Sequence, residues 1–281
     1  LYGGVGAMFE ELAAAVPEML AQPGLDAAGA AWSWGGYSSA IAISAIGFSI
    51  WPHYFMKIYT ARSERVLKKT IIFYPTFQIF LIPIMFIGFA GILRFPGVTP
   101  ADAILPTILM SMQLPAFVVG LFCAGALAAS MSTGDALLHA AGSIMVRDFC
   151  CVLYPRKLTD SEQTGLIRLF LLVISAVAYY FAVMSELSIV QLLLLSYGFI
   201  AQIAPVLVAT LYWARSTPPG VLSGLGAGCA TVVLFEYVPV LQWQQIHPGI
   251  FGVVANVVVL VVVSLATSPM DEDHVAQFVV D

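Results

Sequence analysis

Seven apolar segments long enough to cross a bilayer follow one another along this chain: 37–58, 70–93, 115–140, 166–184, 188–212, 219–238 and 249–268. A membrane-spanning helix needs about 20 predominantly apolar residues. Within hydrocarbon every backbone polar group must find its partner inside the protein, so continuous runs of this length specify helices. Only 10% of the residues are charged, against about 25% in a typical soluble domain. The expected fold is all-α and polytopic, with about seven transmembrane helices and the lipid bilayer as its main partner.

Loop charges orient the spans. With seven crossings the loops alternate sides. Lys57, Arg62, Arg65, Lys68, Lys69, Arg147, Arg156, Lys157, Arg168 and Arg215 fall on one side, and Arg94 alone falls on the other. The positive-inside rule then places the N-terminus of the chain outside and the C-terminus in the cytoplasm of a multi-pass membrane protein. Trp32, Trp34, Tyr237 and Trp243 lie near the outer boundaries, and Tyr154 and Trp213 near the inner ones, as an aromatic belt requires.

Residues 1–36 read as an external loop. Within it Met8, Phe9, Leu12, Val16, Met19 and Leu20 recur near helical spacing, an amphipathic helix over 6–21 made imperfect by Pro17. The external loop 94–114 has room for a short helix. Ser185-Glu186-Leu187 is a tight hairpin, and Pro218-Pro219-Gly220 opens the sixth span as proline does at a helix start. Gly220, Gly224 and Gly228 form a close-packing face. Residues 269–281 form a polar cytoplasmic tail. The chain starts at Leu1 with no signal-peptide pattern, and reads as the C-terminal portion of a longer protein.

Charge and motif content exclude some functions. A net charge of -5 gives nucleic acid no purchase. Cys123, Cys150, Cys151 and Cys229 show no metal-ligand spacing and no disulfide framework. No nucleophile–base constellation or phosphate-binding loop is present, so no enzyme is expected.

The segment Gly120–His139 carries the polar chemistry. Small residues let a neighbouring backbone approach, and intramembrane acids and hydroxyls usually face a cavity or an ion path. The Ala129 carbonyl and the hydroxyls of Ser132 and Thr133 share one helix face, and such hard oxygens suit a small hard cation. The helix must expose that carbonyl locally for this to work. The same hydroxyls can instead bond back to carbonyls one turn earlier, and the spacing leaves both readings open. Asp135 and His139, four apart, can pair as a charge beside the ion path or as a proton-sensitive couple.

Two further stretches stand out. In Gly47-Phe-Ser-Ile-Trp-Pro-His53, Pro52 lacks an amide hydrogen, so the carbonyl of Phe48 loses its helical partner. Gly47 permits unusual torsions. A mid-membrane break here frees backbone groups for an ion or a solute, with Phe48 and Trp51 over it. In Ser196–Gln202, Tyr197 and Gln202 are polar handles within an apolar helix, either toward a solute or in interhelical hydrogen bonds.

The Ala-Ala-x-Met-Ser-Thr core of Gly120–Asp148, with its closing Val-Arg-Asp, resembles the sodium:solute symporter family. Phe48-Ser-Ile-Trp-Pro-His-Tyr-Phe with Thr60-Ala-Arg-Ser, and Leu211–Gly228, are similar to the family's broken substrate helix and its late loop and helix. That resemblance implies an inverted-repeat core of the leucine-transporter type. Residues 37–212 would be its second five-helix repeat, and 213–268 two peripheral helices. It also implies that the Ala129 carbonyl, Ser132 and Thr133 form half of a sodium site, completed by N-terminal helices outside this chain. Phe48, Trp51, Tyr197 and Gln202 become the solute's surroundings. Sodium-coupled import of a small organic solute by alternating access follows. Tyr54, Phe55 and Lys57 lean toward a monocarboxylate, an amino acid or pantothenate. The rivals are a symporter-like sensor domain and a proton-coupled carrier using Asp135 and His139.

Overall fold

A computed structural model describes residues 3–25, 29–154, 156–185, 187–276 and 278–279, apart from the side chains of Phe55, Met56 and Pro239. The Phe55 side chain and, in the expected hairpin, Glu186 therefore lie outside the described residues. The chain divides into two compact units. One comprises Leu1–Trp51 and Ser188–Asp281, the other Pro52–Leu187. No strand occurs among the described residues beyond an isolated bridge between Leu25 and Ala31.

The first unit opens with α1 (Val5–Ala15), which buries Met8 and Leu12. It stops short of the expected end at residue 21. Pro17 excludes helical torsions at Val16, and a 3-10 turn follows at Pro17–Met19. Helix α2 (Trp34–Ser49) starts at Ser33, whose Oγ accepts from the Gly36 amide at 3.0 Å. It ends where Pro52 removes a donor, and the second unit resumes with α3 (Pro52–Tyr59). The expected first span is thus two helices, α2 being 16 residues, about 24 Å, long.

The second unit continues with α4 (Glu64–Phe73) and α5 (Leu81–Arg94), joined by 3-10 turns over Tyr74–Phe80 around Pro75. Next is α6 (Ile104–Ser111), the short helix expected in the 94–114 loop. Helix α7 (Ala116–Ile144) passes through a π turn, Met145–Cys150, into α8 (Cys151–Leu153). Helix α9 (Asp160–Met184) begins six residues before the apolar run. Thr159 and Glu162 form a capping box there, and Arg156 grips Glu162 through two nitrogens at 3.0 and 2.6 Å. Helices α3 and α9 pack on α7.

Back in the first unit, α10 (Ile189–Ile200) carries a Ser188/Gln191 capping box. It breaks at Ala201–Gln202 before α11 (Ile203–Tyr212), where Pro205 denies Ala201 its regular donor. Helices α12 (Pro218–Tyr237) and α13 (Pro248–Ala266) pack along the glycine stripe, and a short α14 (Glu272–Val275) crosses the tail.

Among the described residues six helical stretches are long and apolar enough to cross a membrane: Glu64–Arg94, Ala116–Leu153, Asp160–Met184, Ile189–Tyr212, Pro218–Tyr237 and Pro248–Ala266. With the divided 37–58 segment they make an all-α, multi-pass membrane protein. Phe117, Leu121, Leu127 and Leu172 are each more than 60% exposed on these helices. In water such surface would be costly, whereas lipid tails solvate it.

Candidate ion and solute sites

Ser132 donates from Oγ to the Ala129 carbonyl at 2.8 Å, and Ser130 does the same to Ala126 at 3.0 Å. Two of the three expected ligand oxygens are therefore adjacent on one face. The expected local opening is absent: α7 is regular from Ala116 to Ile144, so the Ala129 carbonyl keeps its place in the helical ladder. Ser132 and Thr133 are exposed, on a helix most of whose surface is uncovered. Asp135 and His139 are exposed too, and no ion pair joins them among the described residues. These five residues all belong to the second unit.

Phe48, Trp51, Tyr197 and Gln202 belong to the first unit. Trp51 and Tyr197 meet edge-on, with ring centroids 5.9 Å apart. Tyr197 is 8% exposed and joins Ile43 and Ala201 in the unit's core. Gly47 serves this contact by its size and not by unusual torsions. It lies within α2, and a Cβ there would come 2.6 Å from Tyr197 Cδ1. Phe48 lies at the surface beside the break.

Gln202 stands apart from these aromatics in role. It is fully buried, and its Nε2 donates to the Gly198 carbonyl at 2.9 Å and the Gly249 carbonyl at 3.2 Å. Asn256, equally buried, donates from Nδ2 to the Gln202 main-chain carbonyl at 2.8 Å. The side-chain oxygens of both amides have no hydrogen-bond partner among the described residues. They lie against α12 where Gly228 and Gly224 leave no Cβ, positions that permit weak Cα–H contacts. The amide of Gln202 therefore holds helices together at the α10–α11 break. Asn256 was not singled out from the sequence, although a lone asparagine in the run Val253–Val263 signals such a role.

The sodium:solute symporter family model matches residues 2–228.

The chain belongs to the sodium:solute symporter family.

This is a family of transporters, not of enzymes. Among its relatives, the uncharacterized symporter YhjB of Bacillus subtilis is 30% identical over 279 residues, covering 95% of this chain and 56% of the relative. The sodium/pantothenate symporter of Haemophilus influenzae is 25% identical, over 74% of this chain and 44% of its own length. The sodium/proline symporter of the same organism is 28% identical, over 58% and 33% respectively. The chain thus spans about half the length of the curated relatives it matches. No solved structure matches. The matched region holds every residue expected from the sequence to serve an ion or a solute.

Proposed function

We propose that the protein carrying this chain couples sodium entry to uptake of a small organic solute by alternating access. The reading rests on one observation within the family frame: the Ala129 and Ser132 oxygens sit 2.8 Å apart beside Thr133 on an exposed face of α7. A hydroxyl proton is free to rotate, so Ser132 can turn from donor to ligand, and the Ala129 carbonyl, while keeping its place in the helical ladder, offers its second lone pair to a cation without the helix opening. The net hydrogen bond given up is worth about 1 kcal/mol, which coordination of an ion offsets. The remaining ligands come from helices outside this chain. Residues 37–212 act as the second repeat of the transporter core, with 213–268 peripheral to it.

Phe48, Trp51 and Tyr197 line the solute's surroundings at the broken first span, and Gln202 fixes the break in α10–α11 behind them. The relatives' names, sodium/pantothenate and sodium/proline symporters, favour a carboxylate-bearing solute. Ten of the eleven basic residues on one side of the spans favour a C-terminus in the cytoplasm.

The test is uptake by proteoliposomes containing the full-length protein. Proline, pantothenate and short monocarboxylates are offered with and without an inward sodium gradient. One of them accumulates only with sodium, and Ser132→Ala and Thr133→Ala weaken that dependence. Accumulation that follows a proton gradient and ignores sodium overturns the reading.

A further inference from the structure

The first unit contains a cavity of about 250 Å³ at the end where α2, α10 and α13 begin and α12 finishes. Its polar wall is formed by Trp32, Gln191, Glu236, Gln242, Gln245 and His247. None of these residues was assigned to sodium or to the solute.

Glu236 is the single acidic residue in that wall. Its carboxylate makes no ion pair or hydrogen bond among the described residues, whereas its main-chain carbonyl accepts from Gln242 Nε2 at 3.1 Å. Within the first unit no lysine or arginine neutralises it. Arg215 is the sole basic residue of residues 1–51 and 188–281, and it binds the Leu265 and Thr267 carbonyls at the opposite end of α13.

Several of the other polar groups are already engaged. Gln245 accepts from the Ser33 amide at 2.6 Å and donates to the Ala31 carbonyl at 3.3 Å. Gln191 Oε1 accepts from the Ser188 amide at 2.8 Å. His247 Nδ1 accepts from the Gly249 amide at 3.0 Å, and burial holds this imidazole's pKa below its ordinary value. The histidine therefore adds no positive charge. What remains is one uncompensated carboxylate in a recess partly shielded from water, an arrangement that favours a cation.

Two features select the kind of cation. Among the described residues no group of three or more His, Cys, Asp or Glu could hold a metal ion. The recess is also far larger than a bare ion, and the Trp32 indole lies in its wall against Gly36, where a side chain would collide with the ring. An aromatic ring and a carboxylate that line one recess suit an alkylated nitrogen cation. We propose that this cavity binds a small organic ammonium compound, its charged nitrogen against Glu236 and its carbon skeleton against Trp32.

The test is calorimetric titration of tetramethylammonium into the full-length protein in nanodiscs, with tert-butanol as a neutral competitor of similar size and potassium chloride as an inorganic one. Saturable binding is expected, weakened at least about tenfold by Glu236→Gln and also weakened by Trp32→Leu, with little competition from tert-butanol or potassium. An unchanged elution profile on size exclusion shows each variant folded, and Trp32→Leu decides the matter should Glu236→Gln misfold. Ser132→Ala leaves binding intact, so this result stands apart from the sodium reading. No saturable binding, equal affinity in folded Glu236→Gln, or equal displacement by either competitor overturns the proposal.

Discussion

Asn256 donates from Nδ2 to the main-chain carbonyl of Gln202 at 2.8 Å, at the residue where α10 gives way to α11. A carbonyl at a helix break inside a bilayer has no water to turn to, and this amide supplies the partner. Asn256→Leu keeps the volume and removes the donor. Interhelical hydrogen bonds of this kind contribute about 0.6 kcal/mol, up to about 1.7 kcal/mol. Thermal unfolding of the full-length protein in detergent is expected to show a loss within that range, and no loss would remove the amide from the account.

The α12–α13 contact depends on absent side chains. A Cβ on Gly224 would lie 2.7 Å from both Asn256 Oδ1 and Leu260 Cβ, and 2.9 Å from the Asn256 carbonyl. Gly226, two residues on, faces open space. Gly224→Ala must push the helices apart, with a cost of about 1–3 kcal/mol expected for overpacking. Gly226→Ala is neutral or slightly stabilising, since alanine is the better helix former. Equal melting temperatures for the two variants would contradict this packing.

Gly47 and Tyr197 make a similar pair beside the broken span. Gly47→Ala drives a methyl group into the ring, which displaces Tyr197 from Trp51 and disturbs the break. Solute uptake by the full-length protein falls strongly, and the double variant Gly47→Ala/Tyr197→Leu recovers part of the lost stability. Recovery of stability is read from thermal unfolding, so the test does not require transport to return.

Much of this was legible in the chain. Long apolar runs marked the spans, Pro52 marked the break, and Gly220, Gly224 and Gly228 marked a packing face. Boundaries moved where polar caps extend helices beyond their apolar part, as Thr159 and Glu162 do for α9. The role of Gly47 was misread, because sequence shows that a glycine is small without showing which ring approaches it. Gln202 was read two ways, since its partners Gly198 and Gly249 include one 47 residues away. The Glu236 cavity was invisible for the same reason: its wall joins residues from both ends of the sequence.

His247 makes stability depend on pH. Its ring caps α13 as an acceptor, which requires an unprotonated Nδ1, and burial lowers its pKa from the ordinary 6.5 while the Leu194 carbonyl opposes that shift. The unfolded chain binds this proton before the folded one does. The cap's contribution is therefore complete above about pH 6.5 and is lost as pH falls through the lowered value. His247→Asn keeps an acceptor that does not titrate. Melting temperatures between pH 7.5 and 5 are expected to fall less for the variant than for the parent protein, and parallel curves would assign the pH dependence elsewhere.

The central claim is tested most directly by the sodium dependence of solute uptake in proteoliposomes containing full-length protein, with Ser132→Ala and Thr133→Ala alongside. Losing a ligand oxygen is expected to raise the half-saturating sodium concentration at least about tenfold, equivalent to about 1.4 kcal/mol, with expression and melting temperature little changed. Folded variants whose half-saturating sodium concentration equals that of the parent would contradict an ion site on α7.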